Sequence, residues 1–219
     1  MTDNINYKYI VDYIVNTIGE SKGFLKELED FADERFIPII QREVKGFLAS
    51  LLEYKRPKRI LEVGTAIGYS SIFFSGYLQD GGEIITLEKD EKYASIAREN
   101  IKKAGKEDVI HLIEGEAEKT ILTVEGEFDM LFLDANKSQY RHYFDVIFPR
   151  LKTGGIIICD NILYKGMTAN DELLPRKHYA IVGHIREFLD FLCEHPMLTT
   201  SIIPIGDGMS LSVKKEELK

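Results

Sequence analysis

The apolar positions of this chain change their period along its length. Near the N-terminus they recur at three-to-four spacing: Ile10, Val11, Ile14, Val15 and Ile18, then Phe24, Leu25, Leu28, Phe31 and Ala32, then Val44, Phe47, Leu48, Leu51 and Leu52. That spacing puts each set on one helical face, so three amphipathic helices are expected. Gly19 and Gly23 separate the first pair. Pro38 reads as the opening of the third, because proline is tolerated in a first helical turn and not later.

From Arg59 the pattern switches to short β-rich runs at residues 60–63, 84–87, 109–113, 130–133 and 156–159, separated by helix-length segments. Strands alternating with helices imply right-handed βαβ units and a parallel sheet covered on both faces. The unbroken run Ile156-Ile157-Ile158-Cys159 fits a strand buried on both sides. A long helix is expected near 180–193. Residues 199–205 and 209–213 then form an antiparallel hairpin about Gly206-Asp207-Gly208. Residues 214–219 read as a solvated tail. Tyr140, Tyr143, Phe144, Ile147 and Phe148 follow helical spacing and read as a core face.

Composition narrows the class. A chain of 219 residues, 44% hydrophobic and 29% charged, suits one domain over 1–219, with helices in 1–57 and an α/β core in 58–219. A net charge of −8 argues against nucleic-acid binding over the whole surface, since phosphate affinity needs concentrated Lys and Arg. Cys159 and Cys193 are too few for a disulfide framework and point to a reducing cytoplasm. The chain does not start with a signal-peptide pattern, and no apolar run reaches the roughly 18 residues needed to span a bilayer. A soluble cytoplasmic protein without a membrane partner is expected. The apolar spacing left on the N-terminal helices suits a homodimer, the commonest symmetric assembly. His111, His184 and His195 lack ligand spacing, so no zinc site is expected, and Cys159 reads as a small buried apolar side chain.

Candidate chemistry gathers where apolar strands give way to loops, the edge at which open α/β sheets bind ligands. Gly64 and Gly68 bracket a strand-to-helix turn in Leu61-Glu62-Val63-Gly64-Thr65-Ala66-Ile67-Gly68-Tyr69-Ser70. Their spacing is not the tighter glycine fingerprint of dinucleotide enzymes. Glu88 ends the second strand, where a carboxylate can accept from both ribose hydroxyls, and Gly115, Glu116 and Ala117 would lie near the base. Asp134 ends one later strand and Asp160-Asn161 the next, so three oxygen donors can converge on a hard cation such as Mg²⁺.

These segments, with LFLDANKSQY, ICDNIL and the closing PIGDGMSLS, resemble the cation-dependent O-methyltransferases of the catechol and caffeoyl-coenzyme A type, from about Ile37 onward. DNILYKG and the basic segment after it are most similar to the bacterial tRNA 5-hydroxyuridine methyltransferases. The resemblance implies a Rossmann-like, seven-stranded, mostly parallel sheet with helices on both faces. It also implies S-adenosyl-L-methionine and Mg²⁺ as cofactors and a hydroxyl oxygen as acceptor. Ile39 and Ile40 would line the methionine end, Ser70 would hold the carboxylate, and Glu62, Gly64 and Asp134 join the cofactor set. Lys137 would be the general base, beside Asp134. The expected acceptor is 5-hydroxyuridine at the tRNA wobble position; a small catechol-like phenol is the alternative. Residues 164–179, where Gly166, Asn170 and Pro175 break regular structure, read as a mobile insertion over the site, with Lys165, Arg176, Lys177 and His178 available for anticodon-loop phosphates and Tyr164 for stacking on a base. A nicotinamide oxidoreductase and a non-catalytic RNA- or nucleoside-binding module are the rivals from other classes. The first leaves the paired Asp residues without a role. The second predicts that Asp134 and Lys137 are dispensable.

Overall fold

The computed structural model describes residues 5–216. Three helices come first: α1 (Lys8–Ile18), α2 (Phe24–Arg35) and α3 (Arg42–Lys55). The alternating core follows as β1 (Arg59–Val63), α4 (Tyr69–Ser75), β2 (Glu83–Glu88), α5 (Glu91–Lys103), β3 (Ile110–Glu114), α6 (Ala117–Thr120), β4 (Phe128–Leu133), α7 (Tyr140–Ile147) and β5 (Leu151–Asp160). It closes with α8 (Tyr179–Glu194), β6 (Leu198–Ile203) and β7 (Met209–Lys214). The seven strands form one sheet in the order β3-β2-β1-β4-β5-β7-β6, parallel except for β7, which runs antiparallel to both β5 and β6. This is the expected Rossmann-like, mostly parallel seven-stranded sheet with an antiparallel C-terminal hairpin. Chain order reverses between β1 and β4, which makes their carboxyl ends the switch point where a ligand crevice opens.

Side-chain alternation along the strands splits the core in two. Ile60, Ile84, Met130, Phe132 and Ile158 meet Leu28, Leu48 and Phe74 from the helices of one face. Leu61, Leu87, Leu131, Leu133 and Ile157 meet Phe144, Ile147, Ile185 and Phe188 on the other. The N-terminal layer is also tied by polar contacts. Glu29 of α2, 4% exposed, accepts from Tyr69 at 2.6 Å and from Lys45 at 2.7 Å. Burial alone would raise its pKa; the hydrogen bonds from Lys45, Ser21 and Tyr69 together outweigh it and hold the carboxylate below its usual range. Because Tyr69 is the first residue of α4, this contact anchors the turn after β1 from outside.

Several boundaries differ from the sequence expectation. Pro38 does not open α3. Phe36 closes α2 in the left-handed conformation, residues 37–41 run without regular structure, and the helix begins only at Arg42. The irregular stretch turns Ile40 into the core and leaves Ile39 half-buried. α1 buries none of its residues, and Tyr7, Tyr9 and Tyr13 stay exposed. β5 starts at Leu151, before the expected 156, with a register shift against β4. Lys214 belongs to β7 and not to a tail, because its ammonium donates to the carbonyls of Phe148 and Leu151 at 2.9 and 2.7 Å. Residues 217–219 of the expected tail lie outside the described residues.

The turn leaving β1 is the tightest point of the crevice. Gly64 has φ +104°, and a Cβ placed there would lie 2.3 Å from the carbonyl oxygen of Asp134. Gly64 donates to Leu87 O at 3.0 Å, and Asp134 donates to Val63 O at 3.0 Å. Backbone strain and a backbone clash therefore add at this position. Gly64→Ala is expected to cost on the order of 3 kcal/mol. Gly81→Ala, also at positive φ but with open space around it, should cost only about 1–2 kcal/mol. Urea unfolding of the two variants measures the difference, and equal losses would refute the close-approach account.

Candidate active site

A cleft of about 470 Å³ opens over the carboxyl ends of β1, β2 and β4. Gly64, Glu88, Asp134, Glu116, Ala117, Ile39 and Asn161 all line it, so seven of the residues singled out from the sequence meet in one place. The lining carries the carboxylates of Glu88, Glu116, Glu118 and Asp134 against the single ammonium of Lys89. Such a field favours a cationic guest.

Glu88 is 9% exposed. One oxygen accepts from the amide of Ala66 at 2.8 Å and the other from the amide of Asp90 at 2.9 Å. The carboxylate is thus aimed by the backbone of the glycine turn, and each oxygen keeps a second lone pair for a hydroxyl donor. Gly115 donates to Glu88 O at 2.8 Å. It does not itself line the cleft, but it sets the start of the segment that carries Glu116.

Glu62 and Ser70, both named from the sequence for the cofactor set, do not line the cleft. Glu62 is fully buried. It accepts from Ser70 and Ser71 and, at 2.6 Å, from Thr86, so the hydroxyl of Ser70 is committed to Glu62. The reason is the strand's parity: residue 62 points to the same face as Ile60, underneath the turn and not into it. Burial pushes the Glu62 carboxyl up to about 7 against its three hydroxyl partners, with the nearby charge of Asp134 adding to the rise. Glu62 is a brace that ties β1, β2 and α4 together below the ligand crevice. Ile40, likewise, packs among Leu28 and Val44 in place of lining the cleft.

Asp134 and Asp160 follow the register pair Leu133↔Cys159 on adjacent parallel strands, which sets neighbouring backbones about 4.8 Å apart. Asp160 is 2% exposed and accepts from the Asn161 amide at 2.8 Å. Burial and then the charge of Asp134 push its carboxyl up to about 7. Burial raises Asp134 too, with the charge of Lys137 acting in the opposite direction. Two repelling carboxylates and an amide oxygen at adjacent strand ends suit a hard, oxygen-preferring cation, which would relieve that repulsion. No group of three His, Cys, Asp or Glu placed to hold a metal occurs among the described residues, so any such cation would keep ligand positions for water or substrate.

Lys137 lies outside the cleft lining, in a small adjoining hollow with Arg141 and His184. Its ammonium is 3.5 Å from the Tyr140 hydroxyl, and its charge acts on Asp134, Cys159 and Asp160. Tyr140 donates to Leu133 O at 3.1 Å, and burial holds its phenol far above the ordinary range, so it is no competing base. Burial likewise pushes the Cys159 thiol up to about 12, in keeping with an inert core side chain.

The segment after Asn161 is less loose than its glycine, asparagine and proline suggest. Single 3₁₀ turns form at Asp171–Leu173 and Arg176–His178. Leu163 and Lys165 donate to Asp207. Arg186 of α8 donates to Thr168 O at 2.9 Å and pairs with Asp171 at 2.7 Å. Tyr164 stands 3.2 Å from His178 through its hydroxyl, so neither ring is idle. Lys165, Arg176 and Lys177 are exposed. Tyr143, read from its spacing as core alone, also lines the cleft, as do Asn136 of the LFLDANKSQY segment and Tyr93 and Glu118, which the motif pattern does not mark.

The cleft's owner has relatives. A family model described as O-methyltransferase matches residues 16–215. A caffeoyl-CoA O-methyltransferase of Populus kitakamiensis is 34% identical, over 85% of this chain and 84% of its own. A catechol O-methyltransferase of Niastella koreensis is 30% identical, over 97% and 100%. An S-adenosylhomocysteine-bound methyltransferase of Podospora anserina superposes with a TM-score of 0.85 at 31% identity, covering 95% of this chain and 94% of that one.

Glu62 gives a pH signature. A carboxyl that binds its proton more tightly when folded favours the folded state most below its ordinary value, and that benefit is lost as pH rises through its folded value. Moving the midpoint from 4.5 to about 7 corresponds to about 3 kcal/mol. The stability of the protein minus that of Glu62→Gln should fall by that order between pH 4.5 and 7.5 in chemical denaturation. A flat difference would mean that the buried carboxyl is not protonated preferentially in the fold.

Proposed function

Because this chain belongs to the O-methyltransferase family and is an S-adenosylmethionine-dependent methyltransferase, we propose that it acts with Mg²⁺ on one of two neighbouring oxygens of a planar ring. The observation that carries this reading is the carboxylate pair Asp134 and Asp160, set at adjacent strand ends beside the cleft that Glu88 and the Gly64 turn define. Asp134, Asp160 and Asn161 would hold the cation. When bound, S-adenosylmethionine supplies a methyl already activated on a sulfonium, and the cation supplies a Lewis acid and template for the acceptor oxygens.

The chain's own residues have the remaining work. Glu88 accepts from the ribose hydroxyls, with its orientation fixed by the Ala66 and Asp90 amides. Ile39 and Pro38 line the cleft; with the cofactor bound, Ile39 would cover its methionine end and the pair would keep water from that side. Lys137 takes the proton from the acceptor hydroxyl. Asp134 holds Lys137 by charge as well as serving the cation. Holding the acceptor in line with the methyl is the main remaining contribution to rate.

The acceptor we favour is 5-hydroxyuridine at the tRNA wobble position, whose ring hydroxyl and adjacent carbonyl offer two such oxygens. Exposed Lys165, Arg176 and Lys177 on the segment leaving Asn161 suit phosphate contacts around an anticodon loop. A catechol-like phenol is the second reading, supported by the substrates that the relatives' names carry.

Incubation with hypomodified tRNA and with a catechol, each with Mg²⁺ and with chelator, separates the two acceptors. Methylation of tRNA alone is expected, and chelator should abolish it; turnover of the phenol alone would remove the RNA assignment. Lys137→Ala should lower kcat by roughly 10²–10⁴ while cofactor affinity, read by calorimetry, stays near that of the parent. Asp160→Ala should abolish the cation's effect on the melting temperature as well as activity. Retained activity in either variant would contradict the assigned roles.

A further inference from the structure

Arg186, midway along α8, reaches back to the segment that leaves β5. Its Nε donates to Thr168 O at 2.9 Å, and one terminal nitrogen donates to Met167 O at 3.3 Å and pairs with Asp171 at 2.7 Å. No backbone amide among the described residues reaches either carbonyl, so both depend on Arg186. Met167 is buried, and a buried carbonyl left without a donor is costly. The planar guanidinium spans two successive carbonyls and a carboxylate at once, which the single nitrogen of a lysine cannot do.

This grip is passed on toward Asn161. Thr168 donates through its hydroxyl to Ile162 O at 2.8 Å and through its amide to Leu163 O at 3.2 Å. Ile162 directly follows Asn161, is 1% exposed, and donates its own amide to Gly208 O at 3.0 Å. Asn161 lines the cleft. Tyr164 and Lys165, between the two ends of the grip, have φ of +46° and +59°, a conformation that such side chains keep only when their surroundings enforce it. The hairpin enforces the near end through Asp207, which receives the amides of Leu163 and Lys165. Arg186 enforces the far end.

We propose that Arg186 is a positioning residue for the cation end of the site: by fixing residues 162–168 it keeps Asn161 at the cleft, where the amide oxygen can join Asp134 and Asp160 on a divalent cation. This rests on the reading of those three residues as the cation's ligands. Arg186 does not line the cleft, so it acts through the segment and not by contact. The two carbonyls carry the effect; Asp171 is 78% exposed, and an ion pair so open to water contributes little.

Titration of the full chain, saturated with S-adenosylhomocysteine, with Mn²⁺ read by the electron paramagnetic resonance of the free ion tests this. Groups that orient a metal ligand commonly change affinity by roughly 10–100-fold. Arg186 stands a link further out, so Arg186→Met should weaken Mn²⁺ about five- to tenfold, while S-adenosylhomocysteine affinity by calorimetry changes less than about twofold. Amides of residues 162–168 should exchange faster with deuterium in that variant, and those of β1 and β2 should not. Arg186→Lys, which also serves if Arg186→Met does not fold, should lose about two- to fivefold. Asp171→Asn should stay within about twofold of the parent. Parental Mn²⁺ affinity in either Arg186 variant would overturn the inference, as would equal losses for both ligands, or a loss in Asp171→Asn as large as that in Arg186→Met. If the parent protein binds no Mn²⁺, the cation assignment fails and takes this inference with it. If Asp160→Ala abolishes Mn²⁺ binding while Arg186→Met leaves it intact, only the role of Arg186 fails.

Discussion

The contact between the backbone at Gly64 and the carbonyl of Asp134 holds the two halves of the site at a fixed distance. β1 and β4 are neighbours in the sheet but lead to opposite faces, β1 into α4 on one side and β4 into α7 on the other. Their loops must part at once, and the crevice so formed is where a ligand can lie. A side chain at residue 64 would force the strand ends apart and widen the crevice at its floor. The absence of one lets Asp134 stand directly beside the turn whose amide aims Glu88. The spacing between the Asp134 and Glu88 ends of the cleft is therefore built into backbone packing and not left to flexible side chains.

That geometry is maintained against electrostatic strain. Glu62, Asp134 and Asp160 cluster at or below the crevice floor; burial raises all three, and the charge of Asp134 adds to the rise of Glu62 and Asp160. Glu62 is met by three hydroxyl donors, whose hydrogen bonds offset part of its burial cost and also lock α4 to the sheet. Among the described residues the side chains of Asp134 and Asp160 have no comparable set of donors; the Asn161 amide is the partner of Asp160, and the charge of Lys137 is the counterweight. Incompletely compensated buried charge is where function is expected, since a fold selected for stability alone would neutralise it.

The sequence disclosed those features that strand ends make conspicuous. Glu88, Asp134 and Asp160-Asn161 each interrupt an apolar run, and a short apolar run ended by an acidic residue is legible without coordinates. Glu62 was legible as unusual, an acid inside Leu61-Glu62-Val63, but its direction was not: parity along β1 sends it under the turn. Tyr143 was hidden for the opposite reason. Its place in the series 140, 143, 144, 147 satisfies a core stripe, and that stripe runs along the cleft wall, so one residue serves both. Pro38 misled because proline permits a helix start without requiring one; the left-handed Phe36 and the need to bury Ile40 set the actual path. Arg186, in a helix far along the chain, carries no local mark of its grip on residues 167, 168 and 171.

This division bears on how one scaffold accommodates different acceptors. The cleft wall made by the parallel half of the sheet, from β3 to β4, carries its groups on strand ends or within two residues beyond them. The segment leaving β5 depends on a different set of contacts. Asn161, Tyr164 and Lys165 all take positive φ without being glycine, a strained path that persists only if its surroundings enforce it. The enforcement comes from the antiparallel hairpin, where Asp207 and Gly208 receive the amides of Leu163, Lys165 and Ile162, and from Arg186 on α8. Asn161 is thus positioned from the C-terminal side, whereas Asp134 is positioned by β1. Changes in residues 162–178 or in α8 can reshape the surroundings of Asn161 without disturbing the contact between Gly64 and Asp134, so these two parts of the site are structurally separable in this fold.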